Sequence, residues 1–237
     1  MKGIILGVNA EQGLGGQLSK RFASEGLEMF IGGRTKTALD IIVKQIKENG
    51  GNARAVKVDA TQEKDVQALF ETAGEGVDLA ICNVGNNTPG RIEEMSVQYF
   101  EESWKTCCLS GFLFGREAIK KFLPKKAGTL IFTGASASLR GKAGFGAFNS
   151  AKGALRQLAQ AMAKEYGPEG IHVGHIIVDG IINGKIVRDK RPDIIEKIGE
   201  ESLINIKSIV DGYVFMYKQK KHGWTFELDV RNSTETW

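Results

Sequence analysis

The chain has 237 residues, is 42% hydrophobic and 25% charged, and carries 30 glycines, 4 prolines and a net charge of +4. That length accommodates one large α/β domain with a substantial core, and basic residues this few and scattered argue against a nucleic-acid groove. Three cysteines, two of them adjacent, form no disulfide framework and point to a reducing, cytoplasmic setting.

The first apolar run, 3–8, reads as a strand; it meets Asn9 and Glu11 at once and is too short for a signal peptide or a membrane span. The turn Asn9-Ala10-Glu11-Gln12-Gly13-Leu14-Gly15 follows, then a helix with Leu14, Leu18 and Phe22 on one face. A glycine-bearing turn between strand and helix lets backbone N–H groups reach a pyrophosphate at the positive helix N-terminus. Gly13 and Gly15 suit that task. The first position of the pattern is Asn9, the non-glycine type most tolerant of positive φ, or else Gly7 with two residues inserted.

The second strand, 27–32, runs into Gly33-Arg34-Thr35-Lys36. NAD binders place an acidic residue there for the ribose 2′-hydroxyl, whereas Arg34 with Lys36 suits a 2′-phosphate and favours NADP(H) over NAD(H); two solvated charges on a turn are the plain alternative. A helix with Ile42 and Ile46 inward leads to the third strand, 53–58. There Asp59, followed by Ala60, either holds an adenine amino group or caps the helix starting near Gln62. Strand 78–82 ends in Asn83-Val84-Gly85. Helix 98–122, strand 128–133 and helix 148–166 follow, the last with Leu155, Leu158, Ala159 and Met162 on an apolar face.

Strand 172–178 ends at Asp179-Gly180, and a charged, aliphatic segment precedes a last helix near 206–220 and a strand at 224–229. The alternation predicts a single doubly wound, Rossmann-type α/β domain over 1–237, with a seven-stranded, mainly parallel sheet and helices on both faces. In such a fold 180–220 lies beyond the carboxyl ends of the strands, where ligands bind, and reads as a substrate lid or a plain surface helix pair. His172 and His175 are expected to pack within the sixth strand, and no spacing suggests a metal site.

The glycines of the first turn, Arg34, Asn83-Val84-Gly85, Lys152 and the last strand, Trp224-Thr225-Phe226-Glu227-Leu228-Asp229, resemble the short-chain dehydrogenase/reductase family along essentially the whole chain. The resemblance implies that Asn83-Val84-Gly85 borders the adenosine ribose and that Lys152 binds the nicotinamide ribose. It also implies a Tyr four residues before the Lys as proton donor, a Ser that polarises the carbonyl and an Asn that holds a relay water. Here the Tyr position is Phe148, which has no hydroxyl to exchange a proton. The Ser position is Ala135, with Ser136 and Ser138 close by. Cys108, in Cys108-Leu109-Ser110-Gly111, stands for the Asn, and Asp179-Gly180 stands for Pro-Gly beside the nicotinamide.

Dinucleotide binding is therefore expected to persist, with contacts from Asn9, Gln12, Gly13, Leu14, Gly15, Arg34, Asp59, Ala60, Asn83, Val84, Gly85, Lys152, Asp179 and Gly180. Residual chemistry would rest on Lys152, on Ser136 as hydrogen-bond donor, and on Asp179 as an acid or as a nicotinamide-amide partner. Phe145, Phe148 and Leu139 would make the pocket apolar. The expected activity is NADP(H)-dependent hydride transfer on a small or medium carbonyl or alcohol; the rival is a catalytically silent NADP(H)-binding sensor or partner subunit. The resemblance also implies a homodimer or homotetramer through the two long helices, with Ala151, Gly153 and Ala154 allowing close approach.

Overall fold

The structure, a computed structural model, describes residues 1–235; positions 236–237 of the expected domain lie outside the described residues. Seven strands, β1 (Lys2–Leu6), β2 (Glu28–Gly33), β3 (Ala53–Lys57), β4 (Val77–Cys82), β5 (Gly128–Thr133), β6 (Ile171–Asp179) and β7 (Glu227–Arg231), make one sheet in the order β3-β2-β1-β4-β5-β6-β7. Every neighbouring pair is parallel. Parallel strands buried on both faces read as continuous apolar runs, as Gly3-Ile4-Ile5-Leu6 does.

Helices α1 (Leu14–Ser24), α2 (Lys36–Glu48), α3 (Glu63–Ala73), α4 (Val97–Trp104), α5 (Ser110–Phe122), α6 (Gly146–Tyr166), α7 (Lys185–Lys190), α8 (Pro192–Ile198) and α9 (Ile206–Lys218) complete the chain. Successive strand side chains leave on opposite faces. Ile5, Ile31 and Ile131 join one core with α1, α2 and α9. Ile4, Phe30 and Leu130 join a second with α3, α5 and α6. The strand order reverses between β1 and β4, so the carboxyl ends open a crevice there, the ligand position of such sheets.

Two expected elements differ. The long helix over 98–122 is broken by a wider π turn at Lys105–Leu109, in which the successive side chains of Cys107 and Cys108 are both buried. The last strand starts later than expected because Trp224 stacks on the His172 ring, centroids 5.0 Å apart, and His172 Nε2 donates to the Thr225 carbonyl at 2.9 Å. Ladder pairing with β6 then begins at His175–Glu227. No helix among the described residues is long and apolar enough to cross a membrane.

Candidate functional site

At the carboxyl end of β1 the chain turns at Gly7, whose φ of +94° favours glycine and whose missing Cβ leaves room for the Asn83 carbonyl. Of the two readings of the turn's first position, the left-handed residue is Gly7 and not Asn9: among the described residues Lys126 is the non-glycine residue with positive φ. Gly13 is the N-cap of α1 and brings no side chain to it, so the first-turn N–H groups of Leu14, Gly15 and Gly16 are left without helical acceptors. A Cβ on Gly16 would overlap the Ala10 carbonyl, a constraint the sequence reading missed although the Gly15-Gly16 pair signals it. Exposed Gln12 accepts at its carbonyl from the Lys185 N–H, 3.4 Å away, which joins the turn to the start of α7.

Asn83 ties three strand ends together. Its Nδ2 donates to the Gly7 carbonyl at 3.1 Å, and its Oδ1 accepts from the Thr133 hydroxyl at 3.0 Å. With that hydrogen committed, the fully buried Tyr213 of α9 donates to Thr133 Oγ1 at 2.6 Å. Burial pushes the Tyr213 hydroxyl well above the ordinary phenol range, so it stays protonated. Neither Thr133 nor Tyr213 was singled out from the sequence.

Arg34 is exposed and makes no salt bridge among the described residues, whereas Lys36 pairs with Asp40 one turn along α2. Of the two expected cations, Arg34 is the one left for a ligand. Asp59 accepts from the Thr61 N–H at 2.9 Å and from the Thr61 hydroxyl at 2.8 Å. Those two bonds, with Arg34 nearby, hold its carboxyl below the usual range. The capping reading is corrected: Asp59 closes a local turn, and the N-cap of α3 is Gln62.

Lys152 lies on α6, only 3% exposed, and its Nζ donates to the carbonyls of Thr133 at 2.7 Å and Val84 at 3.1 Å. The half-buried Phe148 ring stands one turn before it, with its centroid 6.0 Å from Nζ, a cation–π contact. Gly85 comes as close: a Cβ there would lie 3.3 Å from Nζ. The Ser138 hydroxyl is occupied by the Ala135 N–H at 3.2 Å, whereas Ser136 is half-buried and its hydroxyl makes no hydrogen bond among the described residues. Ser136 is thus the serine left for a ligand. Leu139 is exposed and Phe145 half-buried.

Asp179 is 1% exposed, and both its oxygens accept from Arg140 Nη2, at 3.0 and 2.9 Å, with Arg231 Nη2 3.4 Å away. The acid expected at this position is an ion-pair acceptor that joins the loop after β5 to the ends of β6 and β7. Cys107 donates to Asn86 Oδ1 at 3.5 Å; burial pushes the Cys108 thiol up, as it does Cys82 to about 11, so Cys82 and Cys108 pack rather than react. Ala151 faces the core and is not available to a partner helix, while Gly153 has open space beside it. Val97, Phe100, Trp104 and Phe112, along α4 and α5, stay exposed.

Beneath α6, His175 is fully buried; its Nδ1–H donates to Glu227 Oε2 at 3.0 Å, and Arg156 grips the same carboxylate at 2.6 and 2.9 Å. Burial pushes His175 down to about 4 against the pull of Glu227. The unfolded chain takes up that proton near 6.5, so between those values the folded state binds fewer protons and stability falls as the pH is lowered. The same His175–Glu227 region loses more below that window, because Arg156 holds the Glu227 carboxyl below its ordinary value. Acidification from pH 7 to 4 is expected to remove about 3 kcal/mol through His175. His175→Phe should flatten that part of a chemical-denaturation series; an unchanged slope would contradict the assignment.

Comparison with known proteins places these features in company. The family model described as short chain dehydrogenase matches residues 4–194. A crystal structure of a short-chain dehydrogenase from Rhodopseudomonas palustris superposes with a TM-score of 0.83 at 34% identity, covering 97% of each chain. An uncharacterized oxidoreductase, YxjF, of Bacillus subtilis is 25% identical over 97% of this chain and 96% of its own length. A second Bacillus subtilis oxidoreductase, YuxG, is 29% identical, but the match covers 74% of this chain and 26% of that much longer protein.

Proposed function

The chain belongs to the short-chain dehydrogenase family, and from that membership we propose that it is an NADP(H)-dependent oxidoreductase of non-standard active site, acting on a small or medium apolar carbonyl or alcohol. The observation that carries the reading is the buried Lys152 ammonium at the carboxyl end of the sheet, held by two carbonyls beside a ring with no hydroxyl. The surrounding residues fit a dinucleotide. The unpaired N–H groups of the α1 first turn suit a pyrophosphate, Arg34 a 2′-phosphate, and Asp59, Ala60, Val84 and Gly85 the adenosine side. Lys152 suits the nicotinamide ribose, and Asp179-Gly180 flanks the ring.

When bound, the nicotinamide supplies or accepts the hydride. Phe148, Phe145 and Leu139 shed water from the reacting carbon, and the Ser136 hydroxyl donates to the carbonyl oxygen while solvent replenishes the proton. A positioned general acid contributes about 10²–10⁴-fold, and orientation of the reactants separately supplies about 7–11 kcal/mol. A site with the second and without the first turns over slowly. The segment from Gly180 to α9 serves as the substrate lid, tied to the nucleotide turn through Lys185 and Gln12.

The absence of hydroxyls at 148 and 135 favours a second reading, a silent NADP(H)-binding protein. A carbonyl panel with NADPH separates the two. Measurable reduction that falls about tenfold or more in Lys152→Ala is expected; tight NADPH binding with no turnover of any panel member leaves the silent reading.

A further inference from the structure

We propose that the trough over α1, between α2 and α9, is a binding site for a neutral polyhydroxy molecule of the sugar or polyol class. It is a cavity of about 620 Å³ against the opposite face of the sheet from α6, and so does not include Lys152. That volume falls within the range of small-molecule sites. Ile46 and Val210 give the wall apolar surface, of the kind on which the C–H face of a sugar packs.

The charges along the trough are already matched. Lys20 pairs with Glu11 at 2.7 Å, Arg21 with Glu25 at 2.9 Å and Asp211 at 2.7 Å, and Lys207 with Asp211 at 2.7 Å. An anionic ligand would have to displace one of these carboxylates. What stays open is amide oxygen. Gln17 commits its Nε2 to the Glu11 carbonyl at 2.9 Å and Asn49 its Nδ2 to the Gln45 carbonyl at 2.7 Å, leaving Oε1 and Oδ1 without partners among the described residues. The Gln45 side-chain amide faces the Glu11 carboxylate and helps hold it below its ordinary value, and its Oε1 is buried with no hydrogen-bond partner among the described residues. A carboxylate accepts only, so the Gln45 amide cannot be turned round to relieve that oxygen. A buried acceptor beside two further open acceptors calls for a ligand that donates several hydrogen bonds and carries no charge, which is the chemistry of vicinal hydroxyls.

The trough also has an address in the fold. Gln12, from the nucleotide turn, and Asn183, from the root of the α7 segment, both line it, so an occupant touches the turn that accepts from the Lys185 N–H and the stretch just before that residue.

Isothermal titration of the full chain with myo-inositol, sorbitol and glucose, against gluconate and glucose 6-phosphate, tests the site. The expected result is saturable binding of at least one neutral compound with Kd on the order of 1 mM or tighter. Gln45→Leu and Asn49→Ala should each weaken it by about fivefold or more, while Lys152→Ala leaves it unchanged. No binding of the neutral compounds, tighter binding of the two anions, or binding that survives Gln45→Leu and disappears in Lys152→Ala would overturn the proposal.

Discussion

Phe148→Tyr is expected to raise kcat/KM for carbonyl reduction by about 10²-fold. The substitution adds one hydroxyl to a half-buried ring whose centroid already lies 6.0 Å from the Lys152 ammonium, one helical turn away. A neighbouring cation favours the ionised form of a phenol and so brings its proton within reach of a developing alkoxide. The gain sits at the low end of the general-acid range because the Ser136 hydroxyl already donates to the same oxygen, so the new phenol adds to an existing donor. The nucleotide affinity should not move, since the ring is retained and Lys152 keeps both carbonyl acceptors. A variant with unaltered or lower turnover would mean that the site delivers its proton from elsewhere, or that it performs no carbonyl chemistry.

Gly7→Ala is expected to cost stability on the order of 3 kcal/mol or more, from backbone strain and a steric clash together. Adopting the left-handed region costs a non-glycine residue about 1–2 kcal/mol. The new Cβ would in addition press into the Asn83 carbonyl, the backbone of a residue whose side chain bonds to the Gly7 carbonyl at 3.1 Å. Nothing there is the far end of a flexible side chain, so β1 and β4 would have to separate where the crevice opens. Gly26 is the control: its φ is +91°, yet no atom lies within 4 Å of its would-be Cβ. Gly26→Ala should therefore cost only about 1 kcal/mol. Equal losses for the two variants in thermal or urea unfolding would remove the steric argument and leave the backbone one alone.

The parts of this molecule that were legible from sequence are those written in local patterns. Continuous apolar runs separated by helical periodicities predict the seven strands and their parallel, doubly wound arrangement, and the glycine-bearing turn after the first of them is the connection between β1 and α1. Lys152 and the absence of a hydroxyl at Phe148 are readable because the family resemblance implies a Tyr four residues before the Lys, and both positions fall on α6. What was not legible depends on partners far apart in the chain. Asp179 meets Arg140 across 39 positions, and His175 meets Glu227 across 52, so neither the ion pair nor the depressed imidazole could be inferred from neighbours. The sequence leaves Asn9 and Gly7 both open as the left-handed residue, and the close approach of the Asn83 carbonyl, distant in the chain, decides for Gly7. The π turn escaped because its 3.6-residue pattern before and after is unbroken, and the widening shows only in the burial of both Cys107 and Cys108.

The most direct test of the central claim is a fluorescence titration of NADPH and NADH against the wild-type chain and Arg34→Ala. NADPH is expected to bind about tenfold or more tightly than NADH, and the substitution to abolish the difference by weakening NADPH alone, because the Arg34 guanidinium, in no salt bridge among the described residues, supplies a charge-assisted bond to the 2′-phosphate. Equal binding of the two nucleotides by the wild type, or no binding of either, would contradict that claim.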